Sequence, residues 1–269
     1  MRKLSIMILL LLSLSFVLAA CGTKEESDKS NGADTSNDLL AKVKEDGKLV
    51  VGTEGTYPPF SYHDDNGKLT GFDVEISEEV AKRLGVEAEF KETQWDAIFA
   101  GLDAKRFDMI ANQVGINDER KEKYSFSDPY ISSSAVLIAR SDSDVKSFED
   151  IKGLKAAQSL TSNYGEMAKS YGAELVGVDG FNQSAELLNS KRVDVTINDK
   201  LSFLDYKKQK PNAKIEIVDS ADDVSQSGLM FRQDNETLVD AVNKALKEMI
   251  DDGTYTKISE KWFGENVLK

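Results

Sequence analysis

The single cysteine of this chain, Cys21, stands at the end of an apolar N-terminal segment, and its position limits how the chain can fold. Two basic residues open the chain, an apolar run covers residues 4–18, and Ala20 stands directly before the cysteine. These features are typical of a secretory signal, whereas a transmembrane helix needs about 20 apolar residues. Because no second cysteine exists, the folded part must be stable without an internal disulfide.

The residues around this cysteine, Leu18-Ala19-Ala20-Cys21, are similar to the lipobox of bacterial lipoproteins. The resemblance implies that residues 1–20 are a signal peptide and that the Cys21 thiol receives a diacylglyceryl group. An ordinary secreted protein with a chance cysteine here is the alternative. Residues 21–37 are polar and lack aromatic side chains, so we expect a flexible spacer. These features predict a lipid-anchored protein on the extracellular face of the cell membrane, and the long spacer favours a Gram-positive host.

Charge and composition exclude several classes of function. The net charge is −13, so the protein should repel nucleic acid and anionic lipid, and membrane attachment must come from acyl chains. His63 is the only histidine, which leaves a histidine-based zinc site without ligands. We therefore expect no metal and no cofactor. No Ser/His/Asp or Cys/His set is available either, and we predict that the protein is not an enzyme, although a carboxylate-based lyase stays open.

Strand and helix patterns alternate along residues 38–269. Residues 48–52 (KLVVG) predict a strand, and Asp73 is a plausible N-cap for a helix that Gly85 ends. Between them, apolar residues recur every four positions, at Ile76, Val80 and Leu84. This order predicts an α/β fold with mostly parallel sheets flanked by helices.

The pattern then restarts, which predicts that a second lobe is inserted within the first. Residues 132–140 and 225–232 are extended runs with the lengths and polar flanks of crossovers between two lobes. The expected boundaries are 38–131 with 229–269 for lobe 1, 137–223 for lobe 2, and 132–136 and 224–228 for the hinges.

Six short segments, taken in chain order, carry a family resemblance: 52–60 (GTEGTYPPF), 71–75 (GFDVE), 112–114 (NQV), 118–120 (DER), 126–130 (FSDPY) and 259–264 (SEKWFG). They resemble the polar amino-acid receptors of ABC importers, most closely the cystine-binding members. The resemblance implies a two-lobed type II periplasmic-binding-protein fold that closes on its ligand. It also implies a monomer whose partners are a permease and its ATPase.

An α-amino acid buried in a cleft needs a partner for its carboxylate and another for its ammonium group. The guanidinium of Arg120 can bind a carboxylate with two parallel hydrogen bonds, and Asp199 can bind the ammonium. Arg120 lies in the charged run DERKEK, which is typical of a solvated face, and Asp199 could be a simple helix N-cap. The resemblance implies that Arg120 and Asp199 are the two ligand-binding residues.

Ser162 stands where a helix should begin, so its backbone N–H could meet the ligand carboxylate at the positive end of that helix. The alternative is another N-cap. The family often has Gly-Thr-Thr where this chain has Leu160-Thr161-Ser162, and the missing glycine could change how closely the backbone approaches the ligand.

The remaining candidates form the walls and the floor of the predicted cleft. The aromatic walls are Tyr57, Phe60 and Trp95, and the polar floor is Asn112, Gln113 and Gly115. Aromatic residues at helical spacing are more often core residues, which is the alternative for Phe60 and Trp95. Glu54 could pair with a second cationic group of the ligand; its alternative is an exposed position at the lobe edge.

These residues predict capture of a polar amino acid, with L-cystine favoured by the resemblance. A receptor for basic amino acids or glutamine stays open, because lysine and arginine would also need an acid near the side-chain tip. From another class, a secreted cyclohexadienyl-dehydratase-like lyase would share the fold and the export signal. A ligand-sensing domain would need a fused signalling or membrane segment.

Overall fold

A computed structural model describes residues 38–268, so the predicted signal peptide, lipidated Cys21 and spacer lie outside the described residues. Within that range, no helix is both long enough and apolar enough to cross a membrane. The strands are β1 Lys48–Thr53, β2 Thr56–Tyr57, β3 Ser61–His63, β4 Leu69–Thr70, β5 Glu87–Glu92, β6 Met109–Ile110, β7 Tyr124–Phe126, β8 Ile131–Arg140, β9 Lys155–Gln158, β10 Glu174–Gly177, β11 Val195–Asp199, β12 Ile215–Ser227 and β13 Met230–Arg232. The helices are α1 Leu39–Asp46, α2 Phe72–Leu84, α3 Trp95–Asp103, α4 Asp118–Lys121, α5 Asn163–Ser170, α6 Phe181–Asn189, α7 Lys200–Gln209, α8 Glu236–Asp251 and α9 Thr254–Phe263.

The first lobe is built on a five-stranded sheet of order β5-β1-β6-β13-β7. Strand β1 pairs in parallel with β5 and β6, whereas β13 runs antiparallel to β6 and β7. Helix α2 packs against Leu49 and Val51 of β1, and α3 packs against Val50 on the other face, so this strand is an apolar run. Gly52 in β1 leaves room for the Phe107 ring, because a Cβ there would lie 2.5 Å from a ring carbon.

The second lobe has a five-stranded sheet of order β10-β9-β11-β8-β12. Its three parallel strands are β10, β9 and β11, and β8 and β12 run antiparallel beside them. Buried apolar side chains form a core on each side of this sheet, one around Phe181 and Phe203 and one around Phe148 and Ile151. The predicted α/β, two-lobed fold class is confirmed.

Two chain segments run between the sheets, where the sequence predicts the hinges. The near ends of β8 and β12 form an antiparallel ribbon that pairs Ser132 with Gln226 and Ser134 with Val224. The prediction of one strand over residues 225–232 was wrong, because β12 ends at Ser227 and β13 belongs to the other sheet. The exact lobe and hinge boundaries stay a prediction.

The start of α2 corrects a second expectation. Gly71, with φ 137°, is the N-cap residue, and a Cβ there would collide with the backbone carbonyl of Phe60. The prediction that Asp73 caps this helix was therefore wrong, because Asp73 lies inside the first turn and its side chain is fully buried. The predicted stop at Gly85 is confirmed, with φ 79° and its N–H donating to the Ala81 carbonyl.

Candidate functional site

A cleft lies between the two lobes, and residues of both lobes line it. On the first lobe it is formed where β1 and β6 end, which is the usual ligand position in parallel α/β sheets. On the second lobe it is formed by the N-termini of α5 and α6. Of the residues predicted from the sequence, those that line it are Glu54, Tyr57, Trp95, Asn112, Gln113 and Ser162.

Glu54 is a buried acid at the end of β1, with 8% of its surface exposed. The alternative of an exposed position at the lobe edge is therefore excluded. Its Oε2 accepts a hydrogen bond from Asn112 Nδ2 at 2.5 Å, and no cationic side chain among the described residues forms an ion pair with it. Burial raises the pKa of Glu54 to about 7.

Asn112 holds Glu54 in place. Its Oδ1 accepts hydrogen bonds from the Glu54 backbone N–H at 2.8 Å and from Thr53 Oγ1 at 3.1 Å. Since its Nδ2 donates to the Glu54 carboxylate, both atoms of the amide are engaged by the protein. Asn112 is thereby suited to orienting Glu54 rather than to binding a ligand by itself.

The lobes touch each other across the cleft. The Tyr57 hydroxyl lies 3.1 Å from Gln113 Oε1 in its own lobe and 3.1 Å from Asn198 Oδ1 in the second lobe. At the rim, Thr161 Oγ1 donates to Asp96 Oδ1 at 2.6 Å. These contacts describe a closed arrangement of the two lobes.

Arg120 is turned inward from its charged run. Its neighbours in α4 are exposed, but its guanidinium carbon lies 5.4 Å from the centre of the Trp95 ring and 5.5 Å from that of Phe99. Its Nη1 donates to the Gly115 carbonyl at 2.8 Å. Burial lowers the pKa of Arg120. No acid among the described residues pairs with it.

Asp199 is the N-cap of α7, and its second oxygen contacts a residue of the cleft. Its Oδ1 accepts from the Leu201 N–H at 2.7 Å and thereby caps α7. Its Oδ2 accepts from the Tyr164 hydroxyl at 3.4 Å, and Tyr164 lines the cleft. Only 1% of Asp199 is exposed, and burial raises its pKa.

Ser162 caps α5, as its alternative predicted. Its Oγ accepts from the Gly165 N–H at 3.0 Å and donates to the Ser159 carbonyl at 2.8 Å. Its backbone N–H, which the sequence suggested for the ligand carboxylate, donates here to the same carbonyl at 3.1 Å. Among the other lining residues, the indole N–H of Trp95 is buried and has no acceptor in the described part of the chain.

Four of the predicted residues do not line the cleft. Phe60 is fully buried in the first lobe, where it packs behind Tyr57 at 5.1 Å between ring centres and does not line the cleft. Its assignment to the wall was wrong, and its alternative as a core residue is right. Gly115, Arg120 and Asp199 lie behind the lining residues. Arg120 lies against Trp95 and donates to the Gly115 carbonyl, and Asp199 accepts from the Tyr164 hydroxyl.

Several lining residues of the second lobe were missed by sequence reasoning, among them Tyr164, Phe181 and Asn198. Asn198 precedes Asp199, and Tyr164 follows Ser162 within the same turn, so both were adjacent to predicted residues. No local signal marked Phe181. Among residues 38–268, no group of three or more His, Cys, Asp or Glu side chains could hold a metal ion.

Two lobes joined by paired crossover strands, with a cleft of acids, amides and aromatic rings between them, define a solute receptor of the type II periplasmic-binding-protein fold. The chain belongs to the bacterial extracellular solute-binding proteins, family 3, whose family model matches residues 49–265.

Among its relatives, the chain is 50% identical to the L-cystine-binding protein TcyA of Bacillus subtilis over 271 residues, which cover 100% of both chains. It is similar to the unliganded, open L-cystine solute receptor of Neisseria gonorrhoeae, with 51% identity and a TM-score of 0.58. The match covers 86% of this chain and 99% of that receptor. The chain is also similar to an ancestral arginine-binding protein bound to arginine, with 40% identity and a TM-score of 0.77. The match covers 81% of this chain and 99% of that protein. The higher score with a ligand-bound structure agrees with the closed lobes.

Proposed function

We propose that this protein is the substrate-binding component of an ABC importer, and that it captures L-cystine outside the cell and delivers it to the permease. The observation that carries the proposal is a pair of buried acids, Glu54 and Asp199, neither of which has a cationic partner among the described residues. A buried carboxylate without a cation is costly, so a ligand that supplies cations is favoured. The full-length identity to a cystine-binding protein supports the same ligand.

One amino-acid head of the ligand is assigned to Arg120 and Asp199. The guanidinium lies over the Trp95 ring and is held by its hydrogen bond to the Gly115 carbonyl, and it can offer two parallel donors to a carboxylate. Asp199 lies in the second lobe, so an amino acid held by both residues also ties the lobes together. Closure therefore follows from binding, because only the closed state brings both groups to the ligand.

The second head of cystine is assigned to Glu54. Its carboxylate, oriented by Asn112, can pair with the far ammonium group. The far carboxylate then needs donors, and the unpartnered indole N–H of Trp95 lines the same cleft. A ligand with one amino-acid head and a neutral side chain leaves Glu54 buried without a cation.

A basic amino acid is the second candidate. Two acids and one arginine match the charges of arginine or lysine, and the chain is similar to an ancestral arginine-binding protein. Glutamine lacks the second cation and fits Glu54 less well. A carboxylate-based lyase is the candidate from another class, since the raised pKa of Glu54 is one that a general acid could use. We expect no turnover of prephenate or arogenate.

Titration with L-cystine followed by a reductant tests the proposal. Reduction splits the ligand into two cysteines, each with a single head, whereas the protein has no internal disulfide to lose. The binding heat should be present with cystine and absent after reduction. Binding that persists unchanged in the reductant would show that one head suffices, and absence of cystine binding would contradict the proposed function.

Glu54→Gln should stabilise the ligand-free protein above neutral pH while it weakens cystine binding. Burial raises the pKa of Glu54 in the folded protein from 4.5 to about 7. The contribution of Glu54 to the free energy of unfolding is therefore highest below pH 4.5 and falls as the pH rises to 7. The neutral side chain avoids this loss, which is about 3 kcal/mol at most. Urea unfolding of both proteins at pH 5 and pH 8 measures the difference, which should grow with pH.

Glu89→Gln is the matched control for this substitution. Hydrogen bonds from Lys48 and Lys91 lower the pKa of this exposed acid to about 2, so its removal should not stabilise the protein at pH 8. Cystine affinity should fall more in Glu54→Gln than glutamine affinity does. Equal stability of wild type and Glu54→Gln at pH 8 would contradict the buried, unpaired state of Glu54.

Cys21→Ser tests the proposed lipid anchor. A hydroxyl group cannot replace the thiol in the thioether to diacylglycerol, so the variant should carry no lipid. Cells that express each form are grown with a labelled fatty acid, and the label on the protein is measured. Label that persists on the serine variant would contradict the anchor.

A further inference from the structure

The backbone at Gln113 adopts an unusual conformation inside the cleft. Its φ is 48°, in the left-handed region that non-glycine residues seldom occupy. Only 9% of its surface is exposed. A non-glycine residue keeps this backbone conformation only when surrounding contacts hold it there. Residues with such strained conformations often lie at functional sites.

Three buried groups hold this conformation. Asp73 Oδ2 accepts from the Gln113 N–H at 2.8 Å, and the Tyr130 hydroxyl donates to Asp73 Oδ1 at 2.8 Å while its oxygen lies 3.2 Å from the same N–H. The Gln113 carbonyl accepts from Ser227 Oγ at 3.2 Å. Asp73 is fully buried, burial raises its pKa to about 7, and no cation among the described residues pairs with it.

The side chain of Gln113 then reaches the contact between the lobes. Its Oε1 lies 3.1 Å from the Tyr57 hydroxyl, which lies equally far from Asn198 of the second lobe. Tyr130 directly precedes β8, and Ser227 ends β12. The groups that hold Gln113 therefore include one residue at each of the two crossovers.

We infer that Asp73 is a positioning residue, whose buried carboxylate fixes Gln113 in the left-handed conformation that keeps its side chain at Tyr57, where the two lobes meet in the closed state. This inference rests on the proposed function, because its effect is read as ligand affinity. If the Gln113 backbone relaxes to an ordinary conformation, its side chain moves away from Tyr57. The closed state then loses this contact and becomes less stable. The population of the binding-competent state, and with it the affinity, then falls.

Asp73→Asn keeps the shape of the side chain but replaces one acceptor oxygen with a donor. We expect cystine to bind at least tenfold more weakly, which corresponds to about 1.4 kcal/mol. The discriminating measurement is a double-mutant cycle with Gln113→Ala. Since Asp73 acts through Gln113, Asp73→Asn should change affinity by less than twofold in the Gln113→Ala background.

Asp150→Asn is the matched control, because Asp150 likewise accepts two hydrogen bonds, here from the backbone N–H groups of Lys146 and Ser147, each at 2.9 Å. It should lower the melting temperature without changing affinity. Tyr130→Phe is the second variant if Asp73→Asn does not fold. The loss of cystine affinity that it causes should also vanish in the Gln113→Ala background. The inference would be overturned if Asp73→Asn kept wild-type affinity for cystine. It would also be overturned if Asp73→Asn lowered the affinity equally in wild type and in Gln113→Ala.

The wild-type titration separates this inference from the proposed function. If wild type does not bind cystine, the proposed function fails, and the same cycle is measured with whichever of the twenty amino acids binds. Coupling between Asp73 and Gln113 would then support the positioning role on its own, and additive effects would contradict it.

Discussion

Alanine in place of Arg120 should weaken L-cystine binding by roughly 30-fold to several-thousand-fold, equivalent to about 2–5 kcal/mol. The variant would leave the ligand carboxylate in the cleft without its bidentate partner. The guanidinium forms no ion pair within the described residues, so its loss strands no acid of the protein. Isothermal calorimetry with cystine measures the change.

Arg83→Ala is the control for Arg120→Ala. Arg83 donates to Glu79 at 3.0 Å and to Asp252 at 2.7 Å on the first lobe, and neither partner lines the cleft, whereas Arg120 lies against the lining residue Trp95. Its removal should cost some stability and leave the affinity for cystine unchanged. Affinity of Arg120→Ala within a few-fold of wild type would mean that the carboxylate binds elsewhere.

Asp199→Asn should produce a loss of similar size, roughly 30-fold or more, because the ammonium group of the ligand loses its counter-charge in a buried site. Asparagine is chosen because Asp199 also caps α7. Asparagine caps helices as well as aspartate does, whereas alanine would add a stability loss of about 0.5–2 kcal/mol. Calorimetry gives the affinity, and thermal unfolding shows that the fold is kept.

Asp38→Asn is the matched control for that variant. Asp38 caps α1 through a 3.0 Å hydrogen bond to the Leu40 N–H and does not line the cleft. It should keep both the melting temperature and the affinity near wild type. If Asp199→Asn behaves in the same way, Asp199 serves only as a cap and the ammonium site must be reassigned.

Local sequence patterns were enough for much of the fold. The Gly85 stop of α2 and the helix that begins after Asp199 are set by residues within one turn, which is why caps and glycines predict them. The two-lobed class came from the resemblance and the restart of the strand and helix pattern. The break between Ser227 and β13 was not visible, because it depends on which sheet each segment joins.

The cleft was harder to predict because its geometry depends on contacts far apart in the chain. Phe60 and Tyr57 are both aromatic and only three residues apart, yet one is core and the other lines the cleft. Asp73 looked like a cap, but its partner Gln113 lies 40 residues away. The partner of Glu54, Asn112, likewise lies 58 residues away, so no local pattern contains this contact.

Competitive calorimetry decides between L-cystine and other amino acids as the ligand. Wild-type protein is titrated with L-cystine in the presence of arginine, lysine or glutamine at equal concentration. We expect cystine to bind at least tenfold tighter than each competitor, a difference of about 1.4 kcal/mol or more. If arginine or glutamine outcompetes cystine, the cystine assignment is wrong.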